Sequence, residues 1–305
     1  MQQTQPILIP PYLKPGDQIA IVATARKISV EEIQPAIAEI EQRGFKVVTG
    51  NTIGAEDRQF AGDDKLRAAD LQQFLDDEVT KAIFCARGGY GSVRLVDHLD
   101  FTAFKQHPKW IAGYSDITVL HSHIVKNFGV ATLHSTMPIN FVGNTADSLN
   151  SLFDALTGSL KGYKVDSHRL NNSGQTSGRL VGGNLSILYS IGGSVSDIDT
   201  AGKILFIEDL DEYLYHIDRM LMQLNRSGKL SGLAGLVVGG MTDMNDNTIP
   251  YGKTAEEIIK EHIDPYNIPL AFGFPAGHVS DNRALYLGRD IQFSVSAEST
   301  EIKFL

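Results

Sequence analysis

A single cysteine, Cys85, occurs in the 305 residues, so the chain forms no internal disulfide and offers no multi-cysteine zinc site. No apolar run approaches the about 18 residues that a membrane-spanning helix needs. Met1-Gln-Gln-Thr-Gln-Pro6 lacks the basic start and apolar core of a secretory leader. Basic residues are in deficit: 27 Lys and Arg against 36 Asp and Glu leave a net charge of −9. A phosphate backbone is repelled by that balance and no local basic patch offsets it, so nucleic acid is not an expected partner. The expectation is a cytoplasmic protein with no membrane contact. A chain 42% hydrophobic and 21% charged is ordinary globular material, which excludes disordered and fibrous classes. At this length one hydrophobic core is near its limit, so two domains are expected.

Strand and helix signals alternate from the start. Gln18–Ala23 is a short apolar run suited to a buried parallel strand. Ser29 and Glu32 have capping-box spacing, and Ile33, Ile37 and Ile40 follow on one helical face. Further strands are read at 45–48, 81–86, 110–113 and 130–133. Helices are read at 63–74, after Gly91 (Val93, Val96, Leu99), at 117–127 and at 146–156. Repeated strand–helix units predict a parallel sheet with helices on both faces. From Thr157 to Gly178 the chain turns polar and rich in Gly, Asn and Ser, so the domain boundary is placed there, between units 1–157 and 179–305, with 158–178 as linker. The second unit reads as mixed α/β, with strands near 179–181, 203–207, 233–238 and 269–274 and helices near 185–191, 213–224 and 254–262. Its alternating tail at 291–295 and 301–304 suits antiparallel strands.

Four places carry candidate chemistry. Gly113-Tyr-Ser-Asp116 joins a strand to a helix, where a sharp turn lifts a hydroxyl out of the sheet edge; Ser115 or Asp116 suits a plain helix cap equally well. Arg87-Gly-Gly-Tyr-Gly91 is a second strand–turn–helix junction. Its glycines admit an anion or an oxyanion, or simply make a tight turn, and it carries neither G-x-G-x-x-G nor Gly-Lys-Ser/Thr. Glu208 ends the apolar run 204–207, followed by Asp209, Asp211 and Glu212, any of which suits a helix N-terminus. His278 lies just past a strand in Phe274-Pro-Ala-Gly-His278, with His134 as the runner-up. His121 and His123, two apart on a helix, point away from each other and argue against a shared metal. One serine, one carboxylate and one histidine at strand ends are the parts of a nucleophilic hydrolase.

Motifs in a set order add to this. Phe60-Ala-Gly-Asp-Asp-Lys-Leu-Arg-Ala-Ala-Asp-Leu71, Ile83-Phe-Cys-Ala-Arg-Gly-Gly-Tyr-Gly91, Gly113-Tyr-Ser-Asp-Ile-Thr118, Gly182-Gly-Asn-Leu185, Leu205-Phe-Ile-Glu-Asp209, Ile217-Asp-Arg-Met-Leu221 and Gly277-His278 run over nearly the whole chain. In these the sequence resembles the LD-carboxypeptidases, a family of serine peptidases. The resemblance implies an α/β fold, a flavodoxin-like parallel-sheet N-terminal domain beside a smaller mixed α/β C-terminal domain, with the site between them. It implies Ser115 as nucleophile, Glu208 as triad carboxylate and His278 as the base. It also implies a homodimer, no cofactor, no metal, and a murein tetrapeptide substrate that loses its terminal D-alanine in cell-wall recycling. In such a mechanism the backbone N–H of Asp116 and one from Gly88 or Gly89 face the oxyanion. Arg87, Arg283 and the amides of the helix after Gly183 are candidates for the substrate's free carboxylate. Two departures from the family pattern stand out: His134-Ser-Thr-Met137 in place of His-Gly-Pro-Met, and Tyr286 in place of a proline. Microcin-immunity relatives share the triad and cleave an aminoacyl-nucleotide analogue, stacking adenine on an aromatic from an insertion between the domains. Here the segment 157–178 holds only Tyr163. A third reading is a non-catalytic anion or nucleotide binder that uses the glycine turn at 88–91.

Overall fold

The computed structural model describes residues 7–305. The elements run β1 (Gln18–Val22), α1 (Val30–Gln42), β2 (Lys46–Thr49), α2 (Asp64–Asp76), β3 (Thr80–Cys85), α3 (Thr102–Gln106), β4 (Trp110–Gly113), α4 (Thr118–Phe128), β5 (Thr132–His134) and α5 (Ala146–Thr157). There follow β6 (Gly162–Asp166), β7 (Gly174–Asn184), α6 (Leu185–Ser190), β8 (Ile204–Leu210), α7 (Leu214–Arg226), β9 (Gly235–Thr242), α8 (Ala255–Ile263), β10 (Leu270–Ala271), β11 (Leu285–Leu287), β12 (Asp290–Val295) and β13 (Ser299–Phe304).

Strands β2-β1-β3-β4-β5 form a parallel sheet in flavodoxin-like order. Period-two alternation sorts its side chains between two helical layers. Ile19, Ile21, Ala82 and Phe84 face one way with Ile33 and Ile40 of α1 and Leu152 and Leu156 of α5. Ala20, Val22, Ile83 and Cys85 face the other way with Leu71 and Phe74 of α2 and Val119 and Ile124 of α4. The Ser29–Glu32 capping box closes the start of α1 as its spacing predicts, Glu32 N–H to Ser29 Oγ at 3.2 Å and Ser29 N–H to Glu32 Oε2 at 2.7 Å.

The second sheet has the order β10-β9-β8-β7-β12-β13-β6. Its β10–β7 half is parallel and its β7–β6 half antiparallel, including the expected pairing of the tail strands. Helices α6, α7 and α8 cover one face through Leu185, Ile217, Leu221 and Ile258. The opposite face, with Phe206 and Val237, shares one continuous apolar core with Trp110 and Leu133 of the first sheet. A direct bond adds to that contact: the N–H of Asn184, at the end of β7, donates to Thr118 Oγ1, at the start of α4, at 3.0 Å.

Three sequence expectations are corrected. The segment 158–178 is not a bare linker: β6 lies within it and β7 begins in it. Its turn residues mask the alternation of Tyr163 and Val165, which pack against the core. The helix expected after Gly91 is two 3-10 turns, Ser92–Arg94 and Val96–His98; the 93/96/99 spacing is the three-residue repeat of that tighter helix. The strand expected over 269–274 shrinks to Leu270–Ala271, because Gly273 turns away at φ +69°. Tyr286 sits in β11, which adds antiparallel to β5 and so places a late strand in the first sheet. Its hydroxyl donates to Ala155 O at 2.7 Å and its ring lies 5.4 Å from Trp110, so it fills core.

Thr118→Val keeps the shape of the contact with β7 but leaves the buried Asn184 N–H unpaired. The expected loss is about 1–3 kcal/mol in urea unfolding; an unchanged midpoint contradicts the importance given to this bond.

Candidate active site

Three strand ends build the site. After β4 the chain passes Gly113 and an extended Tyr114 into Ser115, which has φ +62°. A non-glycine residue held there stores about 1–3 kcal/mol, a strain found in turns and often gathered at functional sites. Ser115 is half-buried. Opposite it, after β3, lies Gly88: a Cβ on that glycine falls 3.1 Å from Ser115 Cβ, 3.3 Å from Ser115 Oγ and 3.4 Å from Met137 Cε. The two turns are therefore in contact, and a side chain at 88 crowds the serine. Asp116 braces them, its buried Oδ2 accepting the Ser92 N–H at 2.8 Å. Burial raises the pKa of that carboxyl above the usual range, against the pull of its bonds from the 91–92 turn.

After β8 comes Glu208, fully buried. Its Oε2 accepts two hydrogen bonds from His278, from ring Nδ1 at 2.7 Å and from the backbone N–H at 3.2 Å. Gly277 allows this, since a Cβ there falls 2.6 Å from Glu208 Oε2. Asn282 Oδ1 accepts the Gly277 N–H at 2.8 Å, and Thr242 Oγ1 donates to His278 O at 3.2 Å, which fixes the loop. Burial alone lowers the His278 pKa; the bond and charge of Glu208, with Asp209 beyond it, outweigh this and raise it above 6.5. The His278 ring meets Tyr114, the residue before Ser115, edge-on with centroids 4.8 Å apart.

The other acids of the run go elsewhere. Glu212 Oε2 pairs with His216 Nδ1 at 2.6 Å on α7. Asp209 accepts from Asn184 Nδ2 and Ser186 N–H at 2.9 and 2.8 Å, and burial beside Glu208 pushes its pKa up to about 7. His134 is buried between Tyr114 and Phe206, its pKa held low chiefly by burial. The thiol of Cys85 is buried and pushed up to about 12, so it is no thiolate nucleophile. Ser135 and Thr136 make their turn with hydroxyls: Thr136 Oγ1 donates to Asn144 Oδ1 at 3.1 Å and Ser135 Oγ to Thr136 O at 3.4 Å.

The carboxylate-binding candidates fare unequally. Arg283 is committed to Asp281 and Asp147, at 2.9 and 3.2 Å. Half-buried Arg87 reaches Lys27 O at 3.4 Å and Glu32 at 3.8 Å. The start of α6 spends its amides on Asn184 and Asp209. A hollow of about 830 Å³ beside Lys126, Arg179 and Lys203 contains none of the site residues.

The N-terminal domain profile of LD-carboxypeptidases matches residues 19–135, and the C-terminal domain profile matches 177–293. The chain belongs to the LD-carboxypeptidase family. A Bacillus subtilis protein named "probable murein peptide carboxypeptidase" is 35% identical, over 96% of this chain and 93% of its own. The crystal structure of muramoyltetrapeptide carboxypeptidase from Oxalobacter formigenes superposes with a TM-score of 0.86 at 27% identity, over 94% of this chain and 98% of that one. The Escherichia coli microcin C7 self-immunity protein is 26% identical, over 94% and 93% of the two chains. This LD-carboxypeptidase is a hydrolase of the serine peptidase class.

Sequence reasoning missed Tyr114 and Met137, and no motif chemistry singles them out. A ring that merely packs on a histidine, and a methyl that lies against Gly88, carry no signal of their own. By NMR, His278 is expected to titrate above pH 6.5. In Glu208→Gln the charge is gone and burial prevails, so the midpoint drops below 6.5; a midpoint unmoved by that change contradicts the pairing.

Proposed function

We propose that Ser115, His278 and Glu208 form the catalytic triad of this LD-carboxypeptidase, and that its substrate is a murein tetrapeptide from which it releases terminal D-alanine. The observation that carries this is the Glu208–His278 bond, with the His278 ring seated on Tyr114, the residue before a serine held at positive φ. The reading divides the labour between an N-terminal unit, 1–157, that holds the nucleophile and a C-terminal unit, 179–305, that holds acid and base. In the resting structure no hydrogen bond joins Ser115 Oγ to His278 among the described residues. Substrate binding brings them to about 2.6–3.2 Å, as resting sites tighten in the Michaelis complex.

Ser115 Oγ then attacks the carbonyl carbon linking an L-centre to the terminal D-residue, and its proton passes to His278 Nε2. Glu208 keeps the Nδ1 proton in place and stabilises the imidazolium. The N–H groups of Asp116 and of Gly88 or Gly89 hold the oxyanion, each such donor supplying about 10²–10³ in rate. Collapse breaks the C–N bond, and the leaving amine takes the proton from Nε2. Water, deprotonated by the same nitrogen, then cleaves the acyl-serine and returns Oγ–H. Because the base must be neutral and its pKa is raised, kcat/KM is expected to fall as pH drops through a value above 6.5.

A place in cytoplasmic cell-wall recycling, as a homodimer, completes the reading. The names of the murein peptide relatives support the recycling role, and the family resemblance the homodimer; among the described residues no helix is long and apolar enough to cross a membrane. The nucleotide-analogue reading finds no free stacking ring in the segment 157–178, whose one tyrosine is engaged. The Tyr163 hydroxyl donates to Ala284 O at 2.8 Å, and its ring packs on Phe274 and Phe304.

Mass spectrometry of tetrapeptide digests is expected to show D-alanine and tripeptide from the wild type. Ser115→Ala should fall by at least about 10³-fold and Glu208→Gln by about 10²–10⁴-fold, with the fold intact. Full turnover in Ser115→Ala overturns the triad. Hydrolysis of aminoacyl-sulfamoyl adenosine but not tetrapeptide moves the enzyme to the immunity branch.

A further inference from the structure

The strand order β2-β1-β3 reverses direction between β1 and β3, and in doubly wound sheets the crevice at that reversal is where ligands bind. One wall of the crevice is the 88–91 turn after β3, which touches Ser115. The other is the loop after β1, and it carries Arg26. The Arg26 backbone N–H donates to Gly88 O at 3.4 Å. Its side chain then lies across Gly89: a Cβ on Gly89 falls 2.6 Å from Arg26 Cδ, 2.7 Å from Cγ and 2.8 Å from Nε. Gly89, at φ +107°, is thus the seat of an arginine stem, and its neighbour Gly88 faces the serine.

Arg26 is exposed, and among the described residues its guanidinium has no hydrogen-bond or ion-pair partner. The other cations of this edge are engaged: Lys27 with Glu56 at 2.9 Å, Arg87 with Glu32 at 3.8 Å and Arg94 with Asp64 at 2.6 Å. In a chain of net charge −9, an unpaired guanidinium held over the oxyanion turn is an anion receptor waiting for its anion.

The geometry points to Arg26 as the residue that recognises the free carboxylate of the substrate's terminal D-residue, which makes it the determinant of carboxypeptidase over endopeptidase action. This rests on the carboxypeptidase reading above. Three bonds separate the scissile carbonyl carbon from the terminal carboxylate carbon, a span of at most about 4 Å. Adjacent Cα atoms in the 88–89 turn are about 3.8 Å apart. With the carbonyl carbon at Ser115 Oγ beside Gly88, the carboxylate therefore comes within reach of a guanidinium anchored one residue further along. The planar fork of arginine matches two carboxylate oxygens, whereas a lysine offers only a point charge.

The test compares two substrates on three proteins. A murein tetrapeptide with a free terminal carboxylate and the same peptide as its C-terminal amide are given to wild type, R26A and R26K, and D-alanine or D-alaninamide release is followed. Wild type is expected to prefer the acid. R26A should lose about 10- to 100-fold in kcat/KM on the acid and little on the amide, so that the acid-to-amide ratio collapses, and R26K should restore part of it. A merely structural role lowers both substrates together and leaves the ratio standing. If R26A keeps the wild-type ratio while wild type releases D-alanine normally, the assignment of Arg26 falls and the carboxypeptidase reading survives. If wild type releases nothing from either peptide, that reading falls and takes Arg26 with it.

Discussion

Glu208 is a carboxylate taken wholly out of water, and its Oε2 receives both the ring and the backbone N–H of His278. A buried anion costs several kcal/mol unless donors meet it, so the pair constrains everything near it. The histidine tautomer follows, because the carboxylate can only accept: Nδ1 carries the proton and Nε2 keeps its lone pair. The glycine at 277 follows too, because its missing side chain is the space the carboxylate occupies. So does the direction of the His278 pKa: burial alone favours a neutral ring, and the acids behind it, Glu208 above all with Asp209 beyond, outweigh burial and raise its basicity.

The proposed nucleophile, Ser115, comes from the other sheet, and the alignment of the two is a packing problem. The core passes without a break from Trp110 and Leu133 to Phe206 and Val237, so the sheets are joined by apolar contact. On this base, Tyr114 seats against His278, and Thr118 against the end of β7. Rigid support on both sides is what allows Ser115 to be held at φ +62°. A cost of about 1–3 kcal/mol in one turn is small against the burial of so many side chains. The glycines at 88 and 89 serve opposite neighbours, one clearing room for the serine and the other for the stem of Arg26.

Much of the architecture was legible because strand runs such as 18–22 and 81–85 are buried on both faces, and helices such as α1 and α5 carry caps and one apolar stripe. What escaped had physical reasons. β6 is short, half-exposed and flanked by turn residues, and β11 has three residues whose partners lie about 150 positions earlier in sequence. The site was legible as residue types at strand ends, but type and position alone did not choose Glu208 from four acids. The resemblance made that choice, and in the structure Glu208 meets His278 whereas Glu212 pairs with His216. Arg26 was invisible because its placement depends on a contact with Gly89, more than sixty residues away in sequence.

The central claim is that His278, backed by Glu208, makes the hydroxyl of Ser115 nucleophilic. Labelling with a fluorophosphonate, followed by peptide mapping in the mass spectrometer, addresses it directly. The account predicts one adduct, on Ser115 of the wild type, that disappears when His278 is replaced by alanine although the fold persists. An adduct on another residue, or labelling of Ser115 at an undiminished rate without His278, contradicts it.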